Sequence, residues 1–140
     1  MKVYTVIEDQ LFMRPEFHKL KNKIVDLQAL KIDTVFCMLQ RGDADLPGVV
    51  EYIHRPLPDG KTIDIPYVYS IVDEVENCLS QGKRVLVHCI AGKNRSGLIC
   101  ALTVRRALGL SGAAAVAHVR HCRPGALTNP YFVEYLEKLL

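Results

Sequence analysis

The chain has 140 residues, 49% of them apolar and 24% charged, with a formal net charge of +3. That is enough chain for one domain with its own core, and the slight positive charge suits an anionic substrate but does not suggest a nucleic-acid coat. No run reaches the ~18 apolar residues of a membrane span. The acids in "MKVYTVIEDQ" are out of place in a signal peptide, so the expected location is cytoplasmic, without membrane insertion.

In chain order, "KVYTVI" alternates weakly and predicts a strand. "RPEFHKLKNKIVDLQAL" places Phe17, Leu20, Ile24 and Leu27 at steps of three and four, which predicts one helix with Pro15 in its first turn. "IDTVFCML" predicts a short buried strand, "GDADLPG" a loop, "VVEYIHR" another strand and "PLPDG" a turn-rich loop. A helix follows, with Asp64 as N-cap and an apolar stripe of Ile65, Val68, Val72, Val75 and Leu79. "GKRVLVHC" is continuously apolar at its centre, the pattern of a strand buried on both faces. "NRSGLICALTVRRALG" predicts a helix ending at Gly109, and "SGAAAVAHVRHC" a helix capped by Ser111. "RPGALTNP" is a loop and "YFVEYLEKLL" a terminal helix. Strands alternating with helices, then a helical C-terminal half, predict a single α/β domain over residues 1–140. Its small, mostly parallel central sheet is flanked by helices.

Five cysteines (Cys37, Cys78, Cys89, Cys100, Cys122) with no CxxC pair argue against a disulfide framework or a zinc ribbon. His118 and His121 lack a convergent ligand set and read as packing or surface residues. Neither a metal nor a cofactor is expected.

Cys-x5-Arg occurs three times: Cys78 to Arg84, Cys89 to Arg95 and Cys100 to Arg106. Cys78 lies in a helix stripe with no helix start after Arg84. Cys100 and Arg106 fall within one helix, on different faces. Cys89 alone sits between a buried strand and a helix start, where open α/β sheets bind ligands. There unpaired N–H groups and the helix dipole favour an anion. Gly92 allows close backbone approach, and Arg95 offers a fork for two phosphate oxygens. The same field favours a thiolate.

His88, Cys89, Gly92, Arg95 and Ser96 form HCxxGxxRS, which resembles the signature of the cysteine-based protein tyrosine and dual-specificity phosphatases. "PLPDGKTIDI" and "VRHCRPGALTNPYFVEYL" extend the likeness over most of residues 30 to 140. The pattern looks nearest to the kinase-associated (cyclin-dependent kinase inhibitor) phosphatase branch. It lacks the tryptophan-type lid and the segments that deepen a phosphotyrosine pocket, so strict phosphotyrosine specificity does not follow.

The resemblance implies a dual-specificity phosphatase-like fold and attack on phosphorus by Cys89 through a cysteinyl-phosphate. Phosphate oxygens would rest on the backbone of Ile90, Ala91, Gly92, Lys93, Asn94 and Arg95. The general acid would be Asp59, thirty residues before Cys89, with Asp64 as its competitor and Asp43 and Asp45 as solvated loop residues. Ser96 would stabilise the departing sulfur, and His88 would order the loop or simply pack at the strand end. Lys93 and Lys61 would add charge at the rim, or Lys93 is simply solvated; Asn129 falls in a loop that lies near the pocket in that group, or serves packing or the turn. Cys37 reads as a buried thiol, or as a partner for a protective disulfide with Cys89. The expected partner is a phosphorylated protein, with oxyanion inhibitors binding at the loop and no stable nucleic-acid complex. The competing substrates are RNA 5′-triphosphate, inositol phosphates or phospholipids, and phosphoglucans. A module that only binds phosphorylated partners is a third reading.

Overall fold

The computed structural model describes residues 1–17 and 21–140. In chain order its elements are β1 (Tyr4–Ile7), β2 (Leu11–Arg14), α1 (Lys23–Ala29), β3 (Thr34–Cys37) and β4 (Glu51–His54). Then come α2 (Ile65–Ser80), β5 (Val85–His88), α3 (Arg95–Leu108), α4 (Gly112–Cys122) and α5 (Pro130–Glu137). The sheet order is β1-β2-β5-β3-β4, antiparallel only between β1 and β2. The α/β reading with a mostly parallel sheet holds.

Strand β5 is buried along its whole length because parallel neighbours flank it and helices cover both faces. Its side chains alternate between two cores. Val85 and Val87 join Val72, Val75, Leu98, Ile99 and Val116 on the side of α2, α3 and α4. Leu86 joins Phe12, Phe17, Leu27, Val35 and Leu46 on the side of α1. At the carboxyl end of the sheet, His88 lies in register with Arg14 on one side and Cys37 on the other.

Each later helix starts where the sequence predicts. Asp64 caps α2 by accepting from the Tyr67 N–H at 3.2 Å, and Val68, Val72 and Val75 are buried together with Ile71 and Cys78. Gly109, at φ 66°, ends α3. Ser111 caps α4 through the Ala114 N–H at 3.1 Å. Asn129 caps α5 through the Tyr131 N–H at 2.9 Å.

The N-terminal part departs from expectation. No helix begins at Pro15; residues 15–17 are irregular, and α1 starts after Asn22, which takes a left-handed φ of 59°. Leu20 lies outside the described residues, while Leu27 is buried as its spacing suggests. Strand β2 was not foreseen. Its four residues are all buried, so no alternation marks them. No single helix among the described residues is long and apolar enough to cross a membrane.

Candidate active site

The ten-residue stretch after Val87 leaves the sheet at its carboxyl end and turns into α3. Its shape is fixed from outside. The carbonyl of Ile90 accepts from the Glu16 N–H at 3.0 Å, and that of Lys93 from the Leu127 N–H at 3.0 Å. Arg123 donates through Nε to the Gly92 carbonyl at 3.3 Å and through Nη2 to the Ala91 carbonyl at 3.2 Å. Four successive carbonyls are thus turned toward the protein. The N–H groups of residues 90–94 donate to no partner among the described residues. Successive free N–H groups around a concave turn make an anion nest.

Gly92 is required twice over. Its φ is 64°, and a Cβ there would stand 2.7 Å from the Arg14 carbonyl carbon and from the Pro15 nitrogen. That outer wall is itself held by Arg14, a buried residue of β2. Its guanidinium donates to the carbonyls of Pro15 at 2.7 Å, Lys2 at 3.0 Å and Glu16 at 3.2 Å, and lies 4.9 Å from the Phe17 ring. The sequence offered one signal for Arg123, the "VRHCRP" ending, and none for Arg14.

Within the loop, Cys89 is buried, and two nearby donors are buried without a partner: Arg95 Nε and Ser96 Oγ. Buried donors without partners are rare and call for an explanation. Arg95 Nη1 is oriented by the Leu57 carbonyl at 3.4 Å. Burial pushes up the thiols of Cys37, Cys78, Cys100 and Cys122, which suppresses their nucleophilicity. All five thiols are unbridged.

Asp59 is tied to the loop through Asn94. Its Oδ1 accepts from Asn129 Nδ2 at 2.7 Å and its Oδ2 from Asn94 Nδ2 at 3.3 Å. A recess of about 270 Å³ runs between Asp59, Asn94, Asn129 and Tyr131. Asp64 is committed to its helix cap instead. Lys93 is half-buried beside the loop, and Lys61 is exposed.

Asp43 is not a merely solvated residue. His88 Nε2 lies 2.8 Å from its Oδ2, and the Tyr52 hydroxyl donates to the same oxygen at 2.9 Å. Burial alone would push the Asp43 carboxyl up, yet the His88 and Tyr52 bonds outweigh it and hold the group below the ordinary carboxylate value. Asp45 pairs instead with Lys23 at 2.9 Å. Nothing in the spacing linked Asp43 to His88, 45 residues away.

Cys37 lines up with His88 across the sheet rather than with Cys89, and its thiol neighbours Tyr52 and Asp43. Among the described residues, Cys37, Asp43 and His88 form a group whose ligand atoms lie within 4.8 Å of one another. The burial that keeps the Cys37 thiol protonated opposes metal ligation there. His118 bonds the Val6 carbonyl at 2.8 Å, as a packing residue.

The dual specificity phosphatase catalytic-domain family matches residues 16–139. The chain belongs to that family. Among dual specificity phosphatase relatives, it is 28% identical over 130 residues to mouse "Cyclin-dependent kinase inhibitor 3", covering 81% of this chain and 62% of the relative. It is 37% identical over 73 residues to "Dual specificity protein phosphatase 1" of Arabidopsis thaliana, covering 52% of this chain and 37% of that one. The chain therefore spans less than two thirds of the length of either relative. The crystal structure of human tyrosine phosphatase-like serine/threonine/tyrosine-interacting protein superposes with a TM-score of 0.83 at 22% identity, covering 97% of this chain and 93% of that one. At that identity the likeness is one of fold.

Proposed function

We propose that this dual-specificity phosphatase domain hydrolyses phosphomonoesters on proteins, phosphotyrosine first and phosphoserine or phosphothreonine as well, through a covalent intermediate on Cys89. The observation that carries the reading is the loop turned inside out: carbonyls 90–93 bonded outward, N–H groups 90–94 free, and Arg95 Nε and Ser96 Oγ buried without partners. Such a cradle fits a phosphoryl group whose charge spreads over three equatorial oxygens.

The Cys89 thiolate attacks phosphorus in line, the ester P–O bond breaks, and Asp59 gives its proton to the leaving oxygen. Water then attacks phosphorus, the S–P bond breaks, and the water passes a proton to the Asp59 carboxylate. The sulfur leaves as a thiolate, and the Ser96 hydroxyl, which bonds no other described group, Cys89 included, is free to turn and donate to it. Inorganic phosphate is released, and neither a metal nor a cofactor enters a step. His88, held by Asp43, orients the strand end that carries Cys89.

Protein substrates are favoured over polyphosphorylated ones because the latter call for a strongly basic rim, for which Lys93 and Lys61 are the candidates. A cytoplasmic setting accords with five unbridged thiols.

The test is an activity panel of aryl phosphate, phosphopeptides of all three types, inositol phosphates and triphosphorylated RNA. Cys89→Ser is expected to be inactive, and Asp59→Ala to lose roughly 10²- to 10⁴-fold. Asp64→Ala is expected to keep activity while losing about 1 kcal/mol of stability with its cap. Full activity in Cys89→Ser overturns the mechanism, and activity confined to RNA or inositol phosphates overturns the substrate class.

A further inference from the structure

Asparagine is a favoured helix cap, and Asn94 occupies the cap position of α3, yet its side chain makes no cap bond there. It reaches away from its own helix. Asn94 Oδ1 accepts from the backbone N–H groups of Thr128 and Asn129, each at 2.8 Å. Two backbone donors fix which end of the amide is oxygen, so Nδ2 must face outward. It meets Asp59 Oδ2 at 3.3 Å and Thr128 Oγ1 at 3.1 Å. Asn129 is locked in the same manner. Its Oδ1 accepts from the N–H groups of Tyr131 and Phe132, which leaves Nδ2 to donate to Asp59 Oδ1 at 2.7 Å and to the Gly60 carbonyl at 3.0 Å. Neither amide can flip without losing two bonds.

We infer that Asn94 is a positioning residue for the general acid. Together with Asn129 it latches the Asp59 loop to the phosphate-binding loop and decides which Asp59 oxygen delivers the proton. This rests on the phosphatase reading above and assigns the proton path within it. The short bond pins Oδ1 as the carbonyl oxygen of the protonated acid, and Oδ2, with its longer contact, carries the proton. As that proton moves to the leaving oxygen, charge develops on the carboxylate. Hydrogen bonds to an ionised acceptor are shorter and stronger than to a neutral one, so the Asn94 bond tightens as proton transfer advances. An interaction that strengthens toward the transition state raises the rate. The same latch makes the acid loop a fixed wall rather than a lid.

The benefit depends on how much the leaving group needs a proton. The experiment compares kcat/KM for phenyl phosphate, a basic leaving group, with that for an activated aryl phosphate such as the difluoromethylumbelliferyl ester. The proteins are wild type, Asn94→Ala, Asn94→Asp, Asp59→Ala and the Asp59→Ala/Asn94→Ala double variant. Asn94→Asp keeps an acceptor for the Thr128 and Asn129 N–H groups but cannot donate, so it answers the question even if Asn94→Ala folds poorly. Asn94→Ala adds no charge, so agreement between the two variants separates loss of the donor from the charge that Asn94→Asp brings beside Asp59. The preference for the activated ester is expected to widen about tenfold or more in both single Asn94 variants, within the 10²- to 10⁴-fold that general acids supply. It is expected not to widen further when Asn94→Ala is added to Asp59→Ala, since coupled residues are non-additive. Equal losses on both esters, or losses that multiply in the double variant, overturn the positioning role alone. Wild-type activity in Cys89→Ser would overturn the phosphatase reading with it.

Discussion

Gly92 and Gly109 share a backbone conformation, with φ of 64° and 66°, but not an environment. Alanine in the left-handed region costs about 1–2 kcal/mol, partly offset by its stiffer unfolded chain. At Gly109 nothing lies within 4 Å of the added Cβ. Gly109→Ala should therefore lose about 1 kcal/mol, roughly 4 °C in Tm for a domain of this size, and leave kcat/KM unchanged. At Gly92 the Cβ would meet backbone: the Arg14 carbonyl carbon and the Pro15 nitrogen at 2.7 Å and the Arg14 carbonyl oxygen at 2.9 Å. Reaching ordinary carbon contact needs roughly 0.8 Å of movement. The wall cannot supply it cheaply, because the Arg14 guanidinium ties down Pro15 and Glu16. The loop must move instead, carrying the N–H groups of residues 90–94 with it. Overpacking adds about 1–3 kcal/mol to the conformational penalty. Misplacement on the order of 1 Å costs about 10²-fold in rate. Thermal unfolding and kcat/KM on an aryl phosphate, measured on both variants, separate the contributions. If Gly92→Ala behaves like Gly109→Ala in both assays, the loop does not rest on residues 14 and 15, and the argument for an externally shaped cradle fails.

Ser96→Ala removes a buried hydroxyl that has no partner, so the fold should be unharmed or up to about 1 kcal/mol more stable. Turnover should fall about tenfold or more, with a pre-steady-state burst as the cysteinyl-phosphate accumulates; unchanged turnover rules out a role at the sulfur. Asp43→Asn tests the His88 anchor through pH. Its carboxyl is held below the ordinary value in the fold, so its stabilisation is full above about pH 4 and is lost as pH falls through the depressed value. The stability gap between wild type and Asp43→Asn should therefore be about 1.5–3 kcal/mol at neutral pH and shrink in acid. A gap independent of pH, read from urea unfolding across the range, would contradict the pairing.

The parts of the fold visible in the sequence are those with local signals. Asp64, Ser111 and Gly109 mark helix ends through bonds within four residues, and the spacing of Val68, Val72 and Val75 marks a buried face. The loop after β5 was visible because its residue types are chemically unusual together. What escaped has no local signature. Strand β2 is four residues long and buried on both faces, so neither alternation nor length identifies it. It pairs with β1 on one side and on the other with β5, more than 70 residues on. Phe17 is buried as its spacing suggested, but on an irregular segment pinned by Arg14 and not on a helix. The resemblance proposed Asp59 as the acid over Asp64, which the sequence already marked as a helix cap; the spatial fact it could not give is that Asp59 bonds two amides from other segments.

The site is shaped from several directions by residues that would not touch a substrate. Arg14 and Glu16 hold the loop from β2, Arg123 from the end of α4, Leu127 from the connection to α5, and Asp43 holds the strand end through His88. Each support spends a hydrogen bond on a carbonyl or ring that would otherwise compete with the ligand for the free donors. An anion nest made of flexible backbone would have to order itself around each phosphate, and that ordering would subtract from binding and from rate. Here the loop carbonyls are held by the rest of the fold, so the ordering is drawn from folding free energy and not from binding. The proposed chemistry rests on the loop and the proposed acid: backbone donors left free after Cys89, and an Asp59 carboxyl bonded to Asn94 of that loop and to Asn129.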